Sequence, residues 1–464
     1  MSNNNNTGAT RATFATRLGA VAAAVGSAVG LGNIWRFPYE TGQNGGAAFL
    51  IIYVLAVALL GIPLMTAEFV IGRSAHANVV GAFRKLAPGT WWHWIGVLTL
   101  ITPCIILGFY VVIMGWTLDY SARAILNDFA RVVAEAQAAD PSVDAAQVLS
   151  DDFSAFITSV WQPFAWMIAA LGITAFIMMA GVQKGIERAS SLMMPLLALL
   201  LLFLVINSCF LDGFTAGIDF LFNPDWSKVT GHTIITALGQ AFFSLSVAMG
   251  ILMAYGSYMG DNTKIGKTAI SVACLDTLIA ILAGVVIFPA CFTYGVQPGA
   301  GVGLVYITLP NVFLQMTGGY VFCVAFFLLI LLAGLTSFMS IVEVPISFLQ
   351  EEAHMSRRGA VVLSISLTFV LGMLCSMSLG VLSDVQICGC NLFDFSDKLT
   401  ANYLMPIAGF FICIFVGWRL DRDIIRDALT NWRNDSGWYI RPLLWLLRII
   451  CPFLILVVFV GGLM

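Results

Sequence analysis

The chain has 464 residues, of which 59 % are hydrophobic and only 10 % charged, with a formal net charge of −3. A soluble chain normally carries about 25 % charge, so a soluble multi-domain enzyme and a disordered protein are both excluded, and the near balance of charge leaves no basic surface for nucleic acid. Stretches of bilayer-crossing length recur from one end to the other and define eleven segments, at 17–39, 47–72, 92–125, 163–182, 190–211, 232–259, 268–295, 319–352, 357–377, 398–418 and 442–463. In lipid each has to be a helix, because only a helix satisfies its own backbone. Residues 1–8 are polar and lack the parts of a signal peptide, so segment 1 is expected to stay in the mature chain. Between segments 3 and 4, the polar, alanine-rich stretch 126–162 predicts a short amphipathic helix. Between segments 7 and 8, the Gly- and Pro-rich loop 296–318 carries an apolar run at 302–309 that folds back towards an outer vestibule. The ten cysteines lie mostly in apolar runs and read as small buried side chains, the outer pair Cys388 and Cys390 having no assigned role.

Lys and Arg set the orientation. With the N-terminus cytoplasmic, all but Arg36, Arg123, Arg131, Lys228 and Lys398 of the 22 basic residues fall on the inner side. Eleven segments then place the C-terminus outside. The chain divides into a cytoplasmic tail at 1–13, a first five-helix block at 14–211, an outer connecting loop at 212–231, a second block at 232–418, a cytoplasmic loop at 419–441 and a peripheral eleventh helix at 442–464.

Segment 1 is interrupted at its middle by Gly26-Ser27-Ala28-Val29-Gly30-Leu31-Gly32-Asn33. Each glycine weakens a helix by about 1 kcal/mol relative to alanine. Close helix packing through small residues is one reading. An unwound stretch that binds a ligand is the other, favoured by Asn33 and Arg36, polar groups that lipid would penalise. Segment 6 has a counterpart at Phe243-Ser244-Leu245-Ser246-Val247-Ala248-Met249-Gly250. Segments 1 and 6 each open a block of five spans, and an odd number inverts the second block. Interrupted spans at matching places in inverted halves point to a transport site at the membrane midplane.

Several stretches in order, Ala15-Thr16-Arg17-Leu18-Gly19, Gly30-Leu31-Gly32-Asn33-Ile34-Trp35-Arg36-Phe37-Pro38, Asn44-Gly45-Gly46, Gly61-Ile62-Pro63-Leu64-Met65, Lys184-Gly185-Ile186-Glu187-Arg188 and Ala333-Gly334-Leu335-Thr336-Ser337, resemble the neurotransmitter:sodium symporter family, in particular its eleven-span bacterial amino-acid transporters. The resemblance implies an all-α polytopic LeuT fold with a five-plus-five inverted repeat, discontinuous helices 1 and 6, and Na⁺-driven uptake by alternating access. By the same resemblance, one Na⁺ site uses Ala28, Asn33, Ser244 and Asp276, and a second uses Gly26, Val29, Ala333, Thr336 and Ser337. A chloride ring would comprise Tyr53, Gln240, Ser244 and Ala280. Alanine supplies no hydroxyl there, so Asp276 is expected to provide the negative charge and chloride not to be required. The substrate pocket is implied at Ser27, Ala28, Gly30, Leu31, Gly32, Ile106, Tyr110, Phe243, Ser244, Ser246, Met249, Ser337 and Ile341. Amine-transporting relatives have Asp where Gly30 stands. Glycine leaves room for a substrate carboxylate, and the apolar lining suits a neutral hydrophobic or aromatic amino acid.

The outer gate would pair Arg36 with Asp397, Asp394 being the rival, beneath which Phe243 and Tyr110 form a lid. The inner gate would pair Arg11 with Glu351, supported by Tyr258 and Ser257 with Phe14 packed above. Glu68 is expected to hydrogen-bond the unwound backbone of segment 1, and Glu343 to face the inner vestibule. A sodium-independent or proton-coupled permease of the same fold is the nearest alternative. A channel lacks a continuous polar stripe, and a membrane enzyme is disfavoured because His76, His93, His232 and His354 all lie near span ends. The partners expected are the amino acid and the lipid bilayer, with a homodimer left open.

Overall fold

The computed structural model describes residues 13–260, 263–295, 302–432 and 437–462. Among them the chain is helical between its turns, with one isolated antiparallel bridge joining Ile387 and Cys390. Among the described residues nine helices are long and apolar enough to cross a membrane: Ala47–Ala75, His93–Ile125, Trp161–Met179, Val182–Ser208, Ile265–Thr293, Gly319–Glu351, Arg357–Met377, Leu392–Arg419 and Ile440–Gly461. They correspond to segments 2 to 5 and 7 to 11. Segment 1 is a bent pair, Arg17–Ala28 and Gly32–Gln43, whose halves meet at 49°. Segment 6 is a pair of shorter helices, Gly231–Ser244 and Ile251–Tyr258, joined by a non-helical stretch at 245–250.

Caps explain several of the starts. The Thr16 hydroxyl accepts the Gly19 N–H at 2.9 Å and opens segment 1. Thr230 and Thr233 form a reciprocal capping box at the start of segment 6. Asn391 accepts the Asp394 N–H and starts segment 10 at Leu392, earlier than the expected 398, because the polar outer turn with Asp394, Ser396 and Asp397 is already helical. Segment 5 likewise begins at Val182 rather than 190, since Gln183, Lys184 and Glu187 continue the helix as a wide turn. The outer stretch expected to hold one short helix holds two, Asp128–Ala139 and Ala145–Thr158, and the connector at 212–231 contains the helix Phe214–Phe222. Of the loop at 296–318, residues 296–301 lie outside the described part; the remainder forms a helical run through Leu304–Thr308 and Leu309–Gln315, with Leu304, Val305 and Tyr306 buried.

Segments 3 and 8 are two-thirds buried and pack along each other, with the N-terminal half of segment 1, the inner half in the orientation expected from Lys and Arg, against segment 8. Segments 5 and 11 are the least buried spans, at 22 % and 28 %, and present Leu192, Leu199 and Phe453 outwards. Over the outer end of segment 3, Tyr306 stacks on Phe153 and meets Tyr120 and Trp116 edge-on, and its hydroxyl lies 2.8 Å from that of Thr117. This aromatic knot pins the outer helices onto the bundle.

Segment 2 and the inner half of segment 6 approach through glycine. A Cβ on Gly72 would lie 2.0 Å from the Met253 carbonyl oxygen, and one on Gly256 would lie 2.8 Å from that of Phe69. Small residues that let backbones touch are how membrane helices gain packing without a hydrophobic force between them. Gly72→Val is therefore expected to destabilise the detergent-solubilised protein by about 1–3 kcal/mol through overpacking, read as a lower melting temperature. An unchanged melt would show that this contact is not tight.

Candidate functional site

The two interrupted segments are uncoiled where the sequence places the breaks. In segment 6, Ser246, Ala248 and Gly250 adopt φ of 50°, 64° and 74° between the half-helices. In segment 1, Val29 turns to an extended backbone, with ψ of 105°, before the outer half resumes at Gly32. The freed backbone groups are taken up by side chains. Asn33 Oδ1 accepts the Gly30 N–H at 3.0 Å, Gln240 Nε2 donates to the Gly32 carbonyl at 3.0 Å, and Ser246 Oγ donates to the Ser27 carbonyl at 2.8 Å. Glu68 Oε1 accepts the Ala248 N–H at 2.5 Å. Glu68 thus serves the break of segment 6, correcting the expectation that it serves segment 1. It is the left-handed turn at Ala248 that aims this N–H at segment 2.

Asp276, fully buried in segment 7, gathers the residues expected at the first cation site. Its Oδ1 accepts from Asn33 Nδ2 at 2.7 Å, and its Oδ2 accepts from Ser244 Oγ at 2.7 Å and the Tyr53 hydroxyl at 3.3 Å. All three donors are neutral, and among the described residues no cationic side chain pairs with Asp276. Gln240 is buried beside the cluster with its Oε1 lacking a hydrogen bond. One carboxylate with amides, hydroxyls and carbonyls is the donor set of a hard cation. Among the described residues no three His, Cys, Asp or Glu side chains converge as for a transition metal.

Next to this cluster is a cavity of about 20 Å³, lined by Ala28, Gly30, Leu31, Gly32, Ile106, Tyr110, Phe243, Ser246, Met249, Ser337 and Ile341. These are the residues expected at the pocket, except Ser27 and Ser244. Ser27 instead offers its carbonyl to Ser246, and Ser244 belongs to the Asp276 cluster. A Cβ at Gly30 would lie 3.0 Å from Ser337 Cβ and 3.2 Å from the Tyr110 hydroxyl. That hydroxyl is buried beside Ser337 and the Leu31 backbone, and makes no hydrogen bond of normal geometry among the described residues. Outside it lies a second cavity of about 210 Å³ that shares Leu31, Tyr110 and Phe243 with the first and reaches Arg36, Glu40, Phe393 and Asp397. Phe243 and Tyr110 therefore separate the two spaces. The Arg36 guanidinium stands 4.8 Å from the centre of the Phe243 ring. Its ion pair is with Glu40 at 3.7 Å, one turn on in its own helix; Asp397 lines the same cavity without pairing to it.

Of the expected second cation site, Gly26 and Thr336 are adjacent, since a Cβ on Gly26 would meet Thr336 Cβ at 3.2 Å. The Thr336 hydroxyl, however, bonds back to the Leu332 and Ala333 carbonyls at 3.0 Å each. At the inner end, Arg11 lies outside the described residues. Glu351 accepts the N–H and the side-chain amide of Asn78, and Ser257 Oγ donates to the Ala254 carbonyl. The Tyr258 hydroxyl donates to Glu343 at 2.7 Å. Phe14 packs edge-on against Tyr255 and Tyr258 as expected. Two inner carboxylates have roles that sequence reasoning did not reach. Glu343 is fully buried and held by Arg357 through two bonds of 2.8 and 2.7 Å. Glu187 accepts the Ala15 and Thr16 N–H groups and the Thr16 hydroxyl, holding the start of segment 1. The Lys184–Arg188 motif was the only signal for the second.

A family model described as the sodium:neurotransmitter symporter family matches residues 11–464. An uncharacterized sodium-dependent transporter of Bacillus subtilis, YhdH, is 36 % identical over 448 residues, covering 97 % of both chains. An uncharacterized sodium-dependent transporter of Haemophilus influenzae is 34 % identical, covering 98 % of both. Among solved structures, the crystal structure of MhsT in complex with L-phenylalanine is 40 % identical with a TM-score of 0.87, over 97 % of this chain and 100 % of that one.

The Glu68 contact can be tested directly. Glu68→Gln keeps an oxygen for the Ala248 N–H and is expected to melt close to the native protein. Glu68→Leu orphans that buried group, at a cost of about 1–3 kcal/mol, and its melting temperature should fall measurably. Equal melting of the two variants would remove Glu68 as the support of the break.

Proposed function

The chain belongs to the sodium:neurotransmitter symporter family, and from that premise we propose that it is a sodium-coupled symporter importing a neutral hydrophobic or aromatic amino acid by alternating access, without a need for chloride. The observation that carries this reading is Asp276: a fully buried carboxylate with only neutral donors, at the meeting point of two uncoiled segments and next to a small apolar pocket. A bare negative charge in the middle of a membrane protein is costly and calls for a cation. Na⁺ would be held by Asp276, Ser244, the Asn33 amide and the Ala28 carbonyl. The amide has to turn over for this, because Nδ2 now faces Asp276 and Oδ1 the Gly30 N–H. Asp276 supplies the negative charge that a chloride ion would otherwise bring, and Ala280 offers no hydroxyl to hold one.

The outer half of segment 1 starts at Gly32 and presents its N-terminal end to the pocket, a natural seat for a substrate carboxylate. The Tyr110 hydroxyl, buried beside Ser337 and the Leu31 backbone, is a second donor. Ile106, Met249 and Ile341 give the side chain an uncharged apolar surround. Because cation and carboxylate share neighbours, each is expected to raise the affinity of the other by the same factor. A second Na⁺ would use the carbonyls of Gly26, Val29 and Ala333 with Thr336 and Ser337. In this reading residues 14–211 and 232–418 are the two repeats, the N-terminus is cytoplasmic, Arg36 and Asp397 close the outer path, and Arg11 with Glu351 closes the inner one. The alternative, a sodium-independent or proton-coupled permease, is favoured by one observation, the Thr336 hydroxyl already bonded into its own helix.

A binding screen of the twenty amino acids on purified protein is expected to give saturable binding of hydrophobic or aromatic members in Na⁺ and none in K⁺, unchanged when gluconate replaces chloride. Binding of equal strength in K⁺ would decide for the alternative. Replacing both Thr336 and Ser337 with alanine should raise the half-saturating Na⁺ concentration about tenfold, the equivalent of losing about 1.4 kcal/mol. Gly30→Asp should abolish amino-acid binding, since its carboxylate would enter the space between Ser337 and Tyr110 and repel that of the substrate.

A further inference from the structure

At the inner end of segment 11 lies an open cavity of about 830 Å³; among the described residues its wall carries four arginines, Arg422, Arg426, Arg441 and Arg448, and one carboxylate, Asp423. We propose that it binds a phosphodiester anion presented by the bilayer, the headgroup of an anionic phospholipid. Its chemistry is the same in either leaflet and independent of what the protein transports.

The arginines come from two elements that fold towards each other. Arg422 and Arg426 lie one turn apart on the exposed face of the helix Arg422–Thr430, whose other face buries Ile425, Ala428 and Leu429. Arg441 is in the first turn of segment 11, and Arg448 lies two turns further along. Among the described residues neither Arg422, Arg426 nor Arg441 has a carboxylate within ion-pair distance, although Asp423 lies on the same wall. Arg448 is fixed differently: its Nε donates to the Gly417 carbonyl at 2.5 Å, and its guanidinium lies 5.5 Å from the centre of the Trp418 ring. Like charges gathered without counterions repel one another, and an anion removes that cost. Planar guanidinium forks match the oxygens of a phosphate.

The surroundings identify the lipid as the source. Trp438 and Trp445 line the cavity and, with Trp418, are 77 %, 55 % and 65 % exposed, which places them at the depth where aromatic belts meet headgroups. Further along segment 11, Ile449, Phe453 and Leu456 are exposed apolar side chains along which acyl chains can lie. A basic pocket at a helix end beside such a surface is the form that headgroup sites take.

The test uses the full chain in nanodiscs of phosphatidylcholine with a minor fraction of phosphatidylglycerol, and counts the lipids that native mass spectrometry finds retained. The native protein should keep phosphatidylglycerol over phosphatidylcholine. A triple variant, Arg422→Gln, Arg426→Gln and Arg441→Gln, should lose roughly fivefold in that preference per arginine, on the order of a hundredfold in all. Arg358→Gln, an exposed inner arginine elsewhere, should change nothing. An equal melting temperature of native protein and triple variant in pure phosphatidylcholine shows that the variant folds. No preference in the native protein, an unchanged preference in the triple variant, or an equal loss in Arg358→Gln would each overturn the site. Millimolar inorganic phosphate added to lipid-free protein in detergent forms a separate arm. Tight binding there, competing equally with the lipid, would assign the pocket to a soluble anion and overturn the lipid source.

Discussion

Backbone groups that leave a helix inside a bilayer must be hydrogen-bonded by the protein itself, since lipid offers no partner. The centre of this molecule is built around that requirement. Segment 6 serves the break of segment 1: its Gln240 and Ser246 donate to the carbonyls of Gly32 and Ser27. Asn33 folds back onto the Gly30 N–H, and Glu68 arrives from segment 2 to accept from Ala248. The break of segment 1 draws on segment 6, and the break of segment 6 on segment 2. The site is thus a joint product of two distant stretches of sequence.

Buried carboxylates in the same bundle are handled in three ways, and the differences separate scaffold from site. Glu343 is neutralised outright by the two-pronged contact with Arg357. Glu187 spends its oxygens on the N–H groups at the start of segment 1, where no helix bond is available to them. Asp276 has an amide and two hydroxyls but no positive charge. Glu68 also lacks a positive partner and accepts one backbone N–H, but Asp276 is the carboxylate around which amide and hydroxyl oxygens gather where the two uncoiled stretches meet, and that arrangement leaves room for a mobile counterion.

Much of this was legible in the sequence, for identifiable reasons. Glycine clusters and intramembrane polar residues mark the breaks because lipid penalises both, and the helix-by-helix lining of the pocket followed from motif positions. What escaped were contacts set by geometry that no local pattern encodes. Glu68 bonds to segment 6 instead of segment 1 because Ala248 adopts a left-handed turn. Arg36 settles on Glu40 within its own helix, because a long side chain chooses among several partners within reach. Helix ends slipped where polar residues remain helical beyond the apolar run, as at Leu392 and Val182. The outer loops hid helices whose packing relies on aromatic contacts with segment 3, such as that of Phe153 with Trp116.

The glycine contacts between segment 2 and the inner half of segment 6 bear on motion. With Gly72 against Met253 and Gly256 against Phe69, no layer of side chains lies between the two backbones to act as a bearing. Glu68 ties the same segment 2 to the break at Ala248, just above. The inner half of segment 6 is thus coupled to segment 2 backbone to backbone, so any tilt at the break would have to carry segment 2 with it.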